Sequence, residues 1–336
     1  MRRLIVLLPI LLLTSITLTA QRRDTVRICS YNVQMIDAAS EDRFDDLRTI
    51  LNEIRPDILL VQDLANLGGH IMFGIEVADK LDQPLNVYAF FGENQESYSG
   101  IFVNVSAFNV IIEDIVEVTP TVFERMLLNH QYGDTLEIWI GQLQAGESAQ
   151  DEAERERTAK RITDVMSRSI IPDAFEPSVN VLLGIDLKMF GSDEPAYREL
   201  AHPDTGRLVD PIGRPGWWHD NAAFADIHTG STRVRPFGGG DTGGMNDRFN
   251  QILLSRSLMR HYLPGSYTTF GNDGRHFRDS INALPNLAVD SAMAQALHDA
   301  SDHLPVYLDL VFPRVVTDVP ENVEEGIERL DLSDRE

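Results

Sequence analysis

Short apolar runs rich in β-branched residues recur along the chain and predict buried strands. The runs cover residues 26–33, 58–61, 100–105, 136–140, 179–183, 252–254 and 306–312. Between them, the segments 43–54 and 152–169 show the apolar spacing of amphipathic helices. Pro56 ends the first of these helices. Strands that alternate with helices, with some strands adjacent, predict a layered α/β fold.

The two ends of the chain differ from its body. Residues 1–20 combine Arg2 and Arg3, an apolar run and a small final residue, Ala20, which is typical of a secretory signal peptide. A membrane anchor is the alternative, but the run is shorter than the roughly 20 residues that a span needs. We therefore expect an exported protein, periplasmic or extracellular, with no membrane span after cleavage. Residues 21–313 are predicted to form the domain and residues 314–336 an acidic tail.

Charge and cysteine content narrow the function classes. The chain has 336 residues, with 52 Asp and Glu against 29 Lys and Arg, a net charge of -23. This acidity disfavours binding along an extended nucleic acid, which depends on basic side chains. The single cysteine, Cys29, excludes an internal disulfide and a thiolate zinc cluster. We expect it to be a buried strand thiol.

Residues 211–285 are rich in Gly, Asn, Asp and Arg, and strand signals are sparse before Phe249. Long loops in a compact domain are commonly functional rims, although a variable surface insertion has the same composition. Arg233 and Arg235 lie in this segment. They are candidate phosphate contacts, with salt bridges that fix the loop as the alternative.

Polar residues of one chemical kind lie at the ends of four separated apolar runs. They are Asn32, Asp63 after Gln62, Asp186 after Gly184, and Asp302 with His303 in Ser-Asp-His-Leu-Pro-Val. In their order along the chain and in their residues, these segments resemble the motifs of the endonuclease/exonuclease/phosphatase superfamily of metal-dependent phosphoesterases. The resemblance extends over about residues 25–312. The resemblance implies a four-layer α/β sandwich of two packed mixed β-sheets flanked by helices.

The resemblance also implies roles for the residues. His303 would be base or electrostatic stabiliser, and Asp302, Asp186, Asn32 and Asp247 would complete the catalytic group. Asp63, Asn32 and Asp302 would bind Mg²⁺ or Mn²⁺, which prefer oxygen ligands. The implied substrate is a small phosphoester or a short nucleic acid, which needs no extended basic surface.

Four positions depart from the family pattern. Asp63 stands for Glu, Gln142 for His, Lys188 for Asn, and Asn250 for the Asp that orients the catalytic His. The motif at 184–188 has two registers: one places Asp186 at the catalytic position, and the other places Ile185 and Leu187 there. We prefer the first. Two functions remain open, a phosphodiester hydrolase with a partly degraded site and an inactive pseudoenzyme that binds through the retained pocket.

Overall fold

A computed structural model describes residues 23–88, 98–118, 121–131, 134–168, 180–201 and 206–313. The predicted signal peptide and acidic tail lie outside these residues. Within the described ranges, no helix has the length and apolar character required to cross a membrane.

Two six-stranded mixed sheets form the body of the fold. The first has the order β11-β12-β1-β2-β4-β3, with β1 (Arg23–Ile36), β2 (Ile58–Leu64), β3 (Asn86–Tyr88), β4 (Tyr98–Val103), β11 (Thr268–Thr269) and β12 (Val306–Pro313). The second has the order β5-β6-β7-β8-β10-β9, with β5 (Phe108–Val118), β6 (Thr121–His130), β7 (Thr135–Gln142), β8 (Val181–Asp186), β9 (Leu208–Val209) and β10 (Asn250–Ser255).

Helices cover the outer face of each sheet. In the described residues the α-helices are α1 (Glu41–Ile54), α2 (Leu67–Glu76), α3 (Ala149–Met166), α4 (Pro195–Ala201) and α5 (Ser291–Ala300). Residues of α1, α2 and α5 share a buried core with the first sheet, and those of α3 and α4 share one with the second. A third core joins the inner faces of the two sheets. The predicted four-layer sandwich is confirmed.

The seven predicted apolar runs correspond to β1, β2, β4, β7, β8, β10 and β12. The β5–β6 hairpin was not predicted. Its first strand lies at a sheet edge, and Glu113, Asp114 and Glu117 interrupt its apolar positions. Helix α3 begins earlier than predicted because Ser148 and Asp151 form a capping box.

Strand alternation determines which side chains face the other sheet. In β8, Leu182 belongs to the core between the sheets, whereas Leu183 and Ile185 belong to the core beneath the helices. Asp186 therefore faces the first sheet, as a period of two requires. Ile185 and Leu187 are buried in the helix-side core. The geometry thus corresponds to the register in which Asp186 faces the site.

Candidate active site

The predicted polar residues meet because the strands carrying them end at one edge of the sandwich. Parallel pairing places Asn32 of β1 opposite Gln62 of β2, and Gln142 of β7 opposite Asp186 of β8. Antiparallel pairing places Asn250 of β10 opposite Asp186 as well. Along each strand the inward-facing positions change from apolar to polar near this edge, which creates a polar layer on top of the core.

Asp186 lies at the centre of this layer and is fully buried. Its Oδ2 accepts a hydrogen bond from Asn32 Nδ2 at 2.8 Å and forms an ion pair with Lys188 Nζ at 2.8 Å. Burial acts to raise the pKa of Asp186, but the positive charge of Lys188 and the bonds from Lys188 and Asn32 outweigh it, so the pKa is lowered. Asp186 is therefore ionised and held by two donors.

Lys188 reaches this carboxylate because its backbone is left-handed, with φ at 49°. Its Nζ lies 3.4 Å from His303 Nε2 and 5.5 Å from the centre of the Phe249 ring. Burial acts to lower the pKa of Lys188, but the carboxylates of Asp186, Asp63 and Asp241 outweigh it and raise the pKa. The ammonium is therefore charged, and 16% of the Lys188 side chain is exposed.

His303 is oriented by Asn250. Its Nδ1 lies 2.5 Å from Asn250 Oδ1, and both side chains are buried. A carbonyl oxygen only accepts hydrogen bonds, so Nδ1 is the donor in this contact, and in the neutral imidazole Nε2 carries the lone pair. Nε2 faces Lys188 and lies 4.0 Å from Asp186 Oδ2. The imidazole is therefore placed as a base, without a carboxylate at Nδ1 to stabilise its protonated form.

Asp302 is fixed by the glycine-rich loop. Its Oδ2 accepts the backbone N–H of Asp241 at 2.6 Å, and its own N–H donates to Gln34 Oε1 at 3.1 Å. Gly240 has φ at 78°, and a Cβ there would lie 2.5 Å from Asp302 Oδ2. Only glycine allows the loop to approach this closely. The carboxyl or imidazole ligand atoms of Asp241, Asp302 and His303 lie within 4.8 Å of one another.

Asp63 and Gln142 lie at the side of the cleft. Asp63 also has a left-handed backbone, with φ at 66°, and its Oδ1 is 3.4 Å from Gln142 Nε2. Its carboxylate interacts electrostatically with Lys188. Asp63 is not part of the group formed by Asp241, Asp302 and His303.

A divalent cation does not fit the predicted ligands Asp63, Asn32 and Asp302. Asn32 Oδ1 already accepts the Gln34 N–H at 2.8 Å, and its amide nitrogen is bonded to Asp186. Asp302 Oδ2 is occupied by a backbone N–H. The ammonium of Lys188 lies beside Asp186 and His303, where it would repel a second cation.

Two predicted site residues have other partners. Asp247 Oδ1 pairs with His219 Nδ1 at 2.7 Å, while Asn250 contacts His303. Burial raises the pKa of Asp247 to about 6, although His219 acts to lower it. Arg233 was proposed to contact phosphate, and its placement does not allow this. It is buried and donates to the carbonyl oxygens of His298, Phe237 and Asp299 and to Gln34. Arg235 is exposed in the same loop and stays a prediction.

Sequence reasoning did not identify three residues of the site: Gln34, Asp241 and His219. Asp241 and His219 both lie in the loop-rich segment that was singled out as a rim, so its composition was a signal for the region but not for the residue. Gln34 has a left-handed backbone with φ at 51° and connects Asp302 to Arg233. No sequence pattern indicates this conformation.

Solved structures share this architecture. An endonuclease/exonuclease/phosphatase family protein from Bacteroides thetaiotaomicron has a TM-score of 0.58 and 14% identity, covering 87% of this chain and 99% of its own. The chain has the endonuclease/exonuclease/phosphatase fold. Truncated TDP2 from Caenorhabditis elegans has a TM-score of 0.51 and 16% identity, covering 85% and 97%. D. rerio TDP2 complexed with single strand DNA product has a TM-score of 0.52 and 15% identity, covering 86% and 99%.

The sequence matches no protein-family model and no curated protein. At identities of 14 to 16%, the structural likeness shows the fold alone. The function of this chain must therefore be inferred from the residues of its site.

Proposed function

We propose that this chain is an exported phosphoesterase that hydrolyses a small phosphoester in the cleft formed by Asn32, Asp186, Lys188, Asn250 and His303. The convergence of a base, a carboxylate and an ammonium carries the proposal. Lys188 Nζ lies 2.8 Å from Asp186 Oδ2 and 3.4 Å from His303 Nε2. Phosphoester hydrolysis needs a base for water and positive charge for the phosphoryl oxygens. D. rerio TDP2, whose fold this chain shares, was solved in complex with a single strand DNA product, which supports a phosphoester as the ligand.

The reaction assigned to these residues is direct attack by water. Lys188 donates an N–H to a phosphoryl oxygen, which turns the ammonium away from His303 and frees the Nε2 lone pair. Nε2 takes a proton from water as the water oxygen bonds to phosphorus and the ester P–O bond breaks. The leaving oxygen takes a proton from solvent, and Nε2 returns its proton to solvent, which restores the neutral imidazole. Asp186, fixed by Asn32, holds the ammonium and favours the protonated imidazole.

The Mg²⁺ or Mn²⁺ that the sequence resemblance implies would add positive charge at the phosphoryl oxygens. Because the predicted ligands do not fit such an ion, none of the steps above depends on it. The net charge of -23 and the carboxylates around the cleft favour a small substrate over a long polyanion.

A second function is favoured by the contacts of His303. Asn250 gives the imidazolium no counter-charge, and Lys188 lies beside Nε2, so proton transfer to His303 is less favourable than with an acid at position 250. A protein that binds a phosphoester without hydrolysing it is the alternative.

One assay separates the two functions. The purified protein is incubated with bis(4-nitrophenyl) phosphate, 4-nitrophenyl phosphate and a short oligonucleotide, with Mn²⁺ or with EDTA. For the hydrolase we expect turnover that His303→Ala lowers by at least about a hundredfold, since general-base catalysis contributes 10²–10⁴-fold. His261→Ala, near the other end of β12, is the control and should leave the rate unchanged. Binding without turnover would establish the second function.

Export has its own test. When the full precursor is expressed in a bacterial host, we expect the protein outside the cytoplasm, with a new N-terminus at Gln21. Retention of residues 1–20 on a cytoplasmic protein would contradict this part of the proposal.

A further inference from the structure

Lys188 replaces a neutral residue at the position where the sequence pattern expects Asn, and the structure shows what its charge does. The ammonium lies in the cleft between the fully buried Asp186 and the base His303, at 2.8 Å and 3.4 Å. Its third N–H has no hydrogen-bond partner among the described residues and is available to a ligand. Asp186 thus holds the positively charged Nζ beside His303.

We propose that the Lys188 ammonium is the resident cation of this cleft, and that it holds the phosphoryl group in place of a divalent metal ion. The choice of a phosphoryl ligand rests on the proposed function. The claim about the cation does not, because it concerns only the residues of this chain.

The side chains around Lys188 support a role for its ammonium in place of a divalent metal ion. Asp186 forms an ion pair with the ammonium at 2.8 Å, and the carboxylates of Asp63 and Asp241 also favour its charged form, so much of the negative charge that would attract a divalent ion is offset by Lys188. Behind Asp302, the guanidinium groups of Arg43 and Arg233 offset its charge. Asn32 Oδ1 and one of the two oxygens of Asp302, Oδ2, already accept backbone N–H groups. Two cations a few ångströms apart in a protein repel each other strongly.

The backbone at position 188 suits a clean test. Its left-handed conformation is one that Asn adopts readily, so Lys188→Asn removes the charge without straining the turn. Lys188→Arg keeps the positive charge at the same position. Lys160→Asn removes one positive charge from an exposed face of α3 and is the matched control.

The experiment measures the binding of Mn²⁺ alone to the purified full chain, by electron paramagnetic resonance of the free ion. We expect weak binding to the wild type, to Lys188→Arg and to Lys160→Asn, and one site at least about a hundredfold tighter in Lys188→Asn, given the size of close-range charge repulsion. A wild-type protein that binds one Mn²⁺ as tightly as Lys188→Asn would overturn the inference. So would equally weak binding to a Lys188→Asn variant shown to be folded. If Lys188→Asn does not fold, tight wild-type binding overturns the inference, and tight binding to Lys188→Gln beside weak wild-type binding supports it.

Hydrolysis measured on the same samples distinguishes the two proposals. If no variant hydrolyses a phosphoester but Lys188→Asn gains the Mn²⁺ site, the proposed function fails and the inference about the cation stands. If the wild type hydrolyses only after binding Mn²⁺ tightly, the function stands and the inference fails.

Discussion

Lys188→Asn is expected to destabilise the metal-free protein and to be rescued by Mn²⁺. The substitution leaves Asp186 fully buried without its ion-pair partner at 2.8 Å. Removing one partner of a buried pair costs about 3–5 kcal/mol, because the remaining charge is uncompensated. Asn32 still donates to Asp186, so we expect the lower end of this range. Mn²⁺ at a hundred times its dissociation constant should restore about 2.7 kcal/mol.

Urea unfolding in EDTA measures the stability that Lys188→Asn loses, and urea unfolding in Mn²⁺ measures how much of it the ion restores. The double variant Asp186→Asn/Lys188→Asn should lose less stability than Lys188→Asn alone, since it leaves no unpaired buried charge.

The dependence of stability on pH has a definite sign. In the wild type, the lowered pKa of Asp186 gives stability that is present at neutral pH and lost as pH falls through that pKa. The deficit of Lys188→Asn should therefore shrink toward about pH 4, near the ordinary pKa of Asp.

Three results would refute this reasoning. The first is a Lys188→Asn variant as stable as wild type in EDTA, and the second is a deficit that does not change with pH. The third is an equal loss in Lys160→Asn, an exposed position where we expect a change within about 0.5 kcal/mol.

Further predictions concern two other residues near the site, Asn250 and Asp247, and a second buried ion pair. Asn250→Asp should raise kcat for phosphodiester hydrolysis by about tenfold or more, because a carboxylate stabilises the protonated imidazole; an unchanged kcat in a folded variant would contradict the role given to Asn250. Arg248→Met should cost about 3–5 kcal/mol in urea unfolding, since it leaves Asp210 buried without its two bonds at 2.8 and 2.9 Å. Adding Asp210→Leu should recover much of that loss, and no recovery would show that the ion pair is not the cause. Asp247→Asn should increase stability at pH 7 by up to about 3 kcal/mol but not at pH 4, because the pKa of Asp247 is raised to about 6 and the cost of ionising it appears as pH rises. An equal effect at both pH values would contradict this assignment.

Much of the fold was predictable because its central strands are continuous apolar runs. Polar residues lie at the ends of these runs, so Asn32, Asp186 and His303 could be predicted to meet at one edge of the two packed sheets. Asn250 was predicted at the position that orients His303, and it contacts Nδ1 at 2.5 Å. These positions can be predicted from the local sequence because side chains alternate between the two faces of a strand.

The parts of the site that could not be predicted depend on contacts between loops that are distant in the sequence. Asp241 reaches Asp302 only because Gly240 permits a close backbone approach, and composition does not give the path of that loop. Arg233 was expected to contact phosphate because it lies in the rim segment. Its guanidinium instead satisfies carbonyl oxygens at the end of α5, and such partners are visible only in three dimensions.

The most direct test of the central claim is the rate of bis(4-nitrophenyl) phosphate hydrolysis by the wild-type protein in excess EDTA, compared with His303→Ala. A cleft with its own fixed cation predicts the same wild-type rate with and without EDTA, and a rate at least about a hundredfold lower for His303→Ala. A wild-type rate that falls to the uncatalysed level in EDTA and returns with Mn²⁺ would contradict it.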